Sequence, residues 1–140
     1  NPESQLVKIR DKISDKSHRN RASLLLADVY FQNGDFDKAK STYQEIRNNS
    51  QGLNYQNANV GLAYTYEALE DYKKAIDLFK LTIDTNDKFP LFQVYWSLAR
   101  CYENNKDISN ALLILREMQI KYSGKTESEK IENQIKQLSA

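Results

Sequence analysis

Three stretches of this chain repeat one pattern at a fixed interval of 36 residues: LADVYFQNGDFDKA over 26–39, LAYTYEALEDYKKA over 62–75 and LARCYENNKDISNA over 98–111. The register holds position by position, in Leu26/Leu62/Leu98, Ala27/Ala63/Ala99, Tyr30/Tyr66/Tyr102, Phe36/Tyr72/Ile108, Ala39/Ala75/Ala111 and Tyr43/Phe79/Leu115. A constant period of this size is the mark of a stacked repeat architecture, in which each unit buries its apolar face against the next.

The recurring residues are those a helix hairpin needs. Leu, Ala and Tyr at relative positions 0, 1 and 4 share one side of a helix, because helical neighbours lie three and four residues apart. The aromatic or Ile ten residues on, the Ala thirteen on and the large apolar residue seventeen on make the matching stripe of a second helix. A small Ala at two places per unit lets the helices approach closely. Asp35, Asp71 and Asp107 each stand just before a second helix, where a carboxylate can accept from free backbone amides and offset the helix dipole, worth about 1 kcal/mol.

The order Leu-Ala-x-x-Tyr, a short turn, then aromatic-x-x-Ala-x-x-x-aromatic resembles the tetratricopeptide repeat, and three copies cover roughly residues 20–123. The resemblance implies an all-α fold, a right-handed superhelical stack of antiparallel hairpins closed by a terminal capping helix. Each unit is about two residues longer than the usual 34, with the extra length expected in the loops after the second helices. The turn glycine appears only as Gly34, so with Glu70 and Lys106 in its place a different closure is expected there. Sel1-type repeats of similar length are excluded by the scarcity of glycine, four in the whole chain.

In chain order, a helix is expected over 1–15, where Pro2 suits a first turn and Leu6, Ile9 and Ile13 share a face. Ser17–Asn20 reads as a break. Helices follow near 20–33 and 36–49, near 54–69 and 72–85, and near 90–105 and 108–122, with NNSQG as the first loop and Pro90 opening the third repeat. A last helix over 126–138 starts on the capping-box spacing Thr126-x-x-Glu129 and is polar except for Ile131, Ile135 and Leu138. The expected organisation is one domain over 1–140: an N-terminal helix from a partial repeat or cap (1–19), repeats over 20–53, 54–89 and 90–123, and the cap over 124–140.

Twenty Lys and Arg against nineteen Asp and Glu leave a net charge of +1, which argues against nucleic acid as the main partner, since phosphate binding wants a basic face. No apolar run reaches the ~18 residues a membrane span requires, so no direct membrane insertion of this segment is expected. The chain starts at Asn1 rather than Met and reads as a fragment or a processed product, and its compartment stays open. A bacterial cell-envelope setting behind a removed anchor and a cytoplasmic one both fit. Cys101 is the only cysteine and His18 the only histidine. Neither has the partners that a disulfide, a metal site or His-dependent catalysis would need, and no phosphate loop or nucleophile elbow is present. The expectation is a protein that is not an enzyme and uses no cofactor and no metal.

In tetratricopeptide stacks the first helices line a concave surface, and the resemblance implies that the groove-facing positions lie two before, two after and five after the repeat Leu. These are Leu24, Val60 and Trp96, then Asp28, Tyr64 and Arg100, then Phe31, Glu67 and Glu103, edged by Arg21, Asn57 and Gln93. An apolar row rimmed by mixed charge suits a peptide or helix of a partner protein. Leu24, Val60 and Trp96 could equally be covered by the chain's first helix or by tight curvature of the stack. The family's clamp for chaperone C-terminal carboxylates uses Lys, Asn and Arg where this chain has Leu24, Asp28, Tyr64, Gln93 and Ser97, so that ligand is not expected. Self-assembly, with a homo-oligomer as the functional form, and service as the regulatory domain of a longer protein are the rival readings.

Overall fold

The computed structural model describes residues 1–85 and 89–140, and among these there are eight helices and no strand. The chain divides into two compact units, 1–78 and 79–140, with the boundary inside the fifth helix.

In the first unit α1 (Pro2–Lys12), α2 (Lys16–Gln32), α3 (Phe36–Asn48) and α4 (Gly52–Ala68) each pack on the next, and α2 also touches α4, two helices on. That adjacency of first helices is what lays a floor beside the hairpins. The first part of α5 (Tyr72–Thr85) completes the unit. The register residues Leu26, Ala27, Ala39, Tyr43, Leu62, Ala63 and Ala75 are all buried. In α1 no side chain is fully buried, and Ile9 is exposed while Leu6 and Ile13 are half-buried, so its apolar stripe is narrower than the spacing predicts. Glu3 is tied to α2 by the Asn33 amide, 2.8 Å.

The second unit comprises the rest of α5, α6 (Phe92–Asn104), α7 (Ile108–Lys121) and α8 (Ser128–Ser139). Its core is Leu91, Tyr95, Ala99, Leu115, Met118 and Ile131, with Phe92, Trp96, Ile135 and Leu138 packed on it. Cys101 is also buried, whereas Ile108 is 38% exposed, so the third repeat's aromatic-register position contributes little.

Several local expectations are corrected. Ser17–Asn20 is not a break: α2 already begins at Lys16, because Asp15 caps it by accepting from the His18 amide at 3.0 Å, and the break is 13–15. Pro90 lies outside α6, which starts at Phe92 after Leu91 in the αR region. The first loop is only 49–51, since Gly52 at φ +63 is already in α4. The capping box at Thr126 does not form, and α8 starts after Glu127 without a side-chain cap. The loop after α5, where the second repeat's extra length is expected, includes 86–88, outside the described residues.

The interhelix turns are corrected in a more informative way. All three close alike. Asp35 N–H donates to Tyr30, Asp71 to Tyr66 and Asp107 to Tyr102, each at 2.9 Å, and the residue before each Asp donates to the carbonyl three back at 3.0 Å. This closure needs a left-handed residue, and Glu70 (φ 61) and Lys106 (φ 64) adopt it just as Gly34 (φ 79) does. Asp71 and Asp107 accept from the amides three residues on, at 3.4 and 3.2 Å, but Asp35 makes no such bond and instead lies 3.5 Å from Lys38. A side chain in the left-handed region costs roughly 1–2 kcal/mol, part of which glycine gives back as chain entropy. Glu70→Gly and Lys106→Gly should therefore each raise stability by about 0.5–1 kcal/mol in urea unfolding, while Gly34→Ala should lower it.

Candidate functional site

In the first unit, side chains from α2 and α4 enclose a concavity of about 700 Å³ open to solvent. It brings together Leu24, Asp28, Phe31, Val60 and Tyr64 of the predicted groove, with Arg21 and Asn57 at its edge. Glu67, the remaining predicted residue of this unit, does not line it. Leu24 is buried, Val60, Tyr64 and Phe31 are half-buried, and Asp28 is exposed. Phe31 packs edge-on against Phe36, ring centres 5.3 Å apart, which fixes that wall.

The floor is made by two residues outside the predicted set. Tyr43, 3% exposed, reaches from α3 and donates its hydroxyl to the Asp28 carboxylate. Its ring lies against Gly61, where a Cβ would overlap ring carbons Cε1 and Cζ. Gly61 holds the register of Leu25 and Ser97 and is the smallest of the three, but nothing in that register names Tyr43 as its neighbour. Leu25, 57% exposed, also lines the concavity.

Trp96, Arg100 and Glu103 belong to the second unit and line a smaller cavity of about 160 Å³ with Gln134 and Leu138 of α8. Trp96 is neither open nor buried. It stacks on Phe92 at 6.2 Å and 11°, and Lys130 of α8 sits over its face, Nζ 4.3 Å from the ring centre. Both partners of the ring come from within the unit, so part of Trp96 is covered by the terminal helix. Gln134 donates to Glu103 at 3.3 Å, and Arg100 to the Ser97 hydroxyl at 3.3 Å. Gln93 is exposed.

Electrostatically, the His18 amide holds the exposed Asp15 carboxyl below the usual carboxylate range, and the other clear perturbations are on tyrosines. Burial, then the Asp28 carboxylate, pushes the Tyr43 phenol far up. Burial, then Glu117, raises Tyr95, and burial, then Glu127, raises Tyr122. A raised folded-state value means the stabilisation is complete below the ordinary value of about 10 and is lost as pH rises through the raised ones. Among the nine tyrosines, a late-ionising class should therefore appear in a 295 nm titration, disappear in denaturant, and coincide with falling stability above about pH 10. His18, in the first turn of α2, has its Nδ1 2.7 Å from Asp15. That contact is an exposed side-chain pair beside the cap, in which Asp15 accepts from the His18 backbone amide. Among the described residues no group of three or more His, Cys, Asp or Glu is placed to hold a metal ion, and no helix is long and apolar enough to cross a membrane.

Comparison with solved structures shows the same fold. The type III secretion translocator chaperone SycD of Yersinia enterocolitica is similar with a TM-score of 0.72 at 19% identity, over 95% of this chain and 90% of that one. A kinesin light chain-like protein of Podosopora anserina, built from nearly identical TPR-like repeats, is similar with a TM-score of 0.80 at 19% identity, over 97% and 74%. Comparison with curated protein sequences gave no match. A tetratricopeptide repeat family model matches residues 18–88, about half of the chain. With the 36-residue register, the turns that close alike and the packing of α2 beside α4, this match establishes that the chain belongs to the tetratricopeptide repeat family.

Proposed function

We propose that this protein is a non-catalytic scaffold that binds a segment of a partner protein, with the α2–α4 concavity as the principal seat. The observation that carries this reading is the composition of that concavity: the apolar side chains Leu24, Leu25, Val60, Phe31 and Tyr64 surround a solvent-open space in which Arg21 and Asp28 supply one charge of each sign. Such a surface takes apolar anchors and fixes their direction through charged neighbours. Trp96, Arg100 and Glu103 are a second proposed contact, and Glu67 a peripheral one. The proposed repeat domain runs over 1–140, with three repeats between its first and last helices. Affinity on the order of micromolar is expected, because few anchors must offset the ordering of a flexible peptide.

Selection from a random peptide library against the folded chain tests this. Enriched sequences should be apolar with a basic residue, and Tyr64→Ala or Val60→Asp should weaken their binding at least tenfold by fluorescence anisotropy, about 1.4 kcal/mol or more. Trp96→Ala should weaken ligands that use the second contact and leave those seated only in the concavity unchanged. Selected peptides indifferent to Tyr64 and Val60 would remove the concavity as the site.

A further inference from the structure

The helix α7 carries a second apolar surface that the repeat does not explain. Leu113 is 61% exposed and Ile120 81% exposed, and Arg116 and Glu117 between them are exposed too. At 100° per residue these four fall within an arc of about 100°, opposite the buried Ala111, Leu115 and Met118. The same register in the first repeat holds Ser41 and Asn48, and in the second Asp77 and Asp84. Polar residues therefore suffice at these positions for packing, and the third repeat alone makes them apolar. The other strongly exposed apolar side chains, Ile9, Leu25 and Leu53, lie on three different helices.

The order of the four residues selects the occupant. Leu113-x-x-Arg116-Glu117-x-x-Ile120 reads the same from either end in chemical kind, apolar, charged, oppositely charged, apolar. An antiparallel copy of the same helix, related by a two-fold axis between Arg116 and Glu117, would set Leu113 on Ile120 and Arg116 on Glu117, twice over. Self-complementarity of this sort is what an isologous interface requires. We propose that α7 is a homodimer surface and that its partner is the α7 of a second copy of this chain. Antiparallel packing also opposes the two helix dipoles. Glu117 accepts a long bond from the Tyr95 hydroxyl, 3.4 Å, within its own chain, which leaves its other oxygen for the partner's guanidinium. One helix on one helix is a small interface, so association is expected only at about 10 µM to 1 mM.

Sedimentation equilibrium over that range on the wild-type chain should show a monomer–dimer equilibrium, and Leu113→Glu should shift it at least tenfold toward monomer with unchanged helical circular dichroism. R116E alone sets Glu against Glu, and E117R alone sets Arg against Arg, so each should be monomeric where wild type dimerises. Mixing the R116E and E117R chains restores both ion pairs and should restore a dimer of one of each. A wild-type chain that stays monomeric to 1 mM, a dimer indifferent to Leu113→Glu, or a mixture no more associated than its components would overturn the proposal.

Discussion

Gly61→Ala is expected to lower the stability of the wild-type chain by about 2 kcal/mol, and the same substitution to raise it in a Tyr43→Ala background. The first effect is overpacking. A methyl at position 61 overlaps the Tyr43 ring, and inserting a methylene into a packed site costs roughly 1–3 kcal/mol. The ring cannot swing aside cheaply, because it is 3% exposed and its hydroxyl is held by Asp28. Against this stands the better helix propensity of Ala, worth about 1 kcal/mol in the interior of α4. Once Tyr43 is cut to Ala, itself a loss of about 3–5 kcal/mol, the clash is gone and only the propensity gain is left. The sign therefore reverses. Urea unfolding of the four proteins gives a double-mutant cycle whose coupling term isolates the contact. If Gly61→Ala is destabilising to the same extent in both backgrounds, the floor of the concavity is not built as described. The functional consequence is direct, because the same pair sets the depth of the proposed peptide seat.

The second large effect is expected at the other end of the chain. Ile131 is fully buried and is the one buried residue of α8, while Ile135 and Leu138 are half-buried. Ile131→Ala should cost about 2–5 kcal/mol by lost transfer free energy and residual cavity. Because α8 has no side-chain cap and no other full anchor, the loss should appear first as local release of that helix rather than as global unfolding. Trp96 reports it, being the sole tryptophan and lying beneath Lys130. Its emission should shift to the red and its acrylamide quenching should rise at denaturant concentrations where far-ultraviolet circular dichroism has changed little. Hydrogen exchange of the α8 amides should accelerate in parallel. A Trp96 signal that changes only together with the global transition would show that α8 does not cover it independently.

These two sites show how differently the parts of the protein were written into its sequence. The repeat Leu, Ala and second-helix residues were legible because burial at a fixed helical register leaves a periodic trace. Leu26, Leu62 and Leu98 are accordingly within 2% of fully buried. The groove positions came from the tetratricopeptide resemblance rather than from the periodic trace; of those in the first unit, Leu24, Asp28, Phe31, Val60 and Tyr64 line one concavity and Glu67 does not. Helix starts were read less well. The competition between Asp15 and Ser17–Asn20, or between Pro90 and Leu91, is settled by a single capping bond or backbone angle. Periodicity does not carry that information.

By itself, the sequence determined that the chain is a set of helix hairpins, which residues face the hairpin cores, and which faces of the first helices are left over. Those follow from the 36-residue register and from the 3.6-residue helical turn. Tertiary structure decided the rest. It placed Tyr43 of α3 against Gly61 of α4, closed the Glu70 and Lys106 turns in the left-handed form that Gly34 takes, and laid Lys130 over Trp96. Each depends on atoms distant in sequence, or on a backbone conformation that packing enforces against local preference, and no pattern along one strand of letters records such a balance.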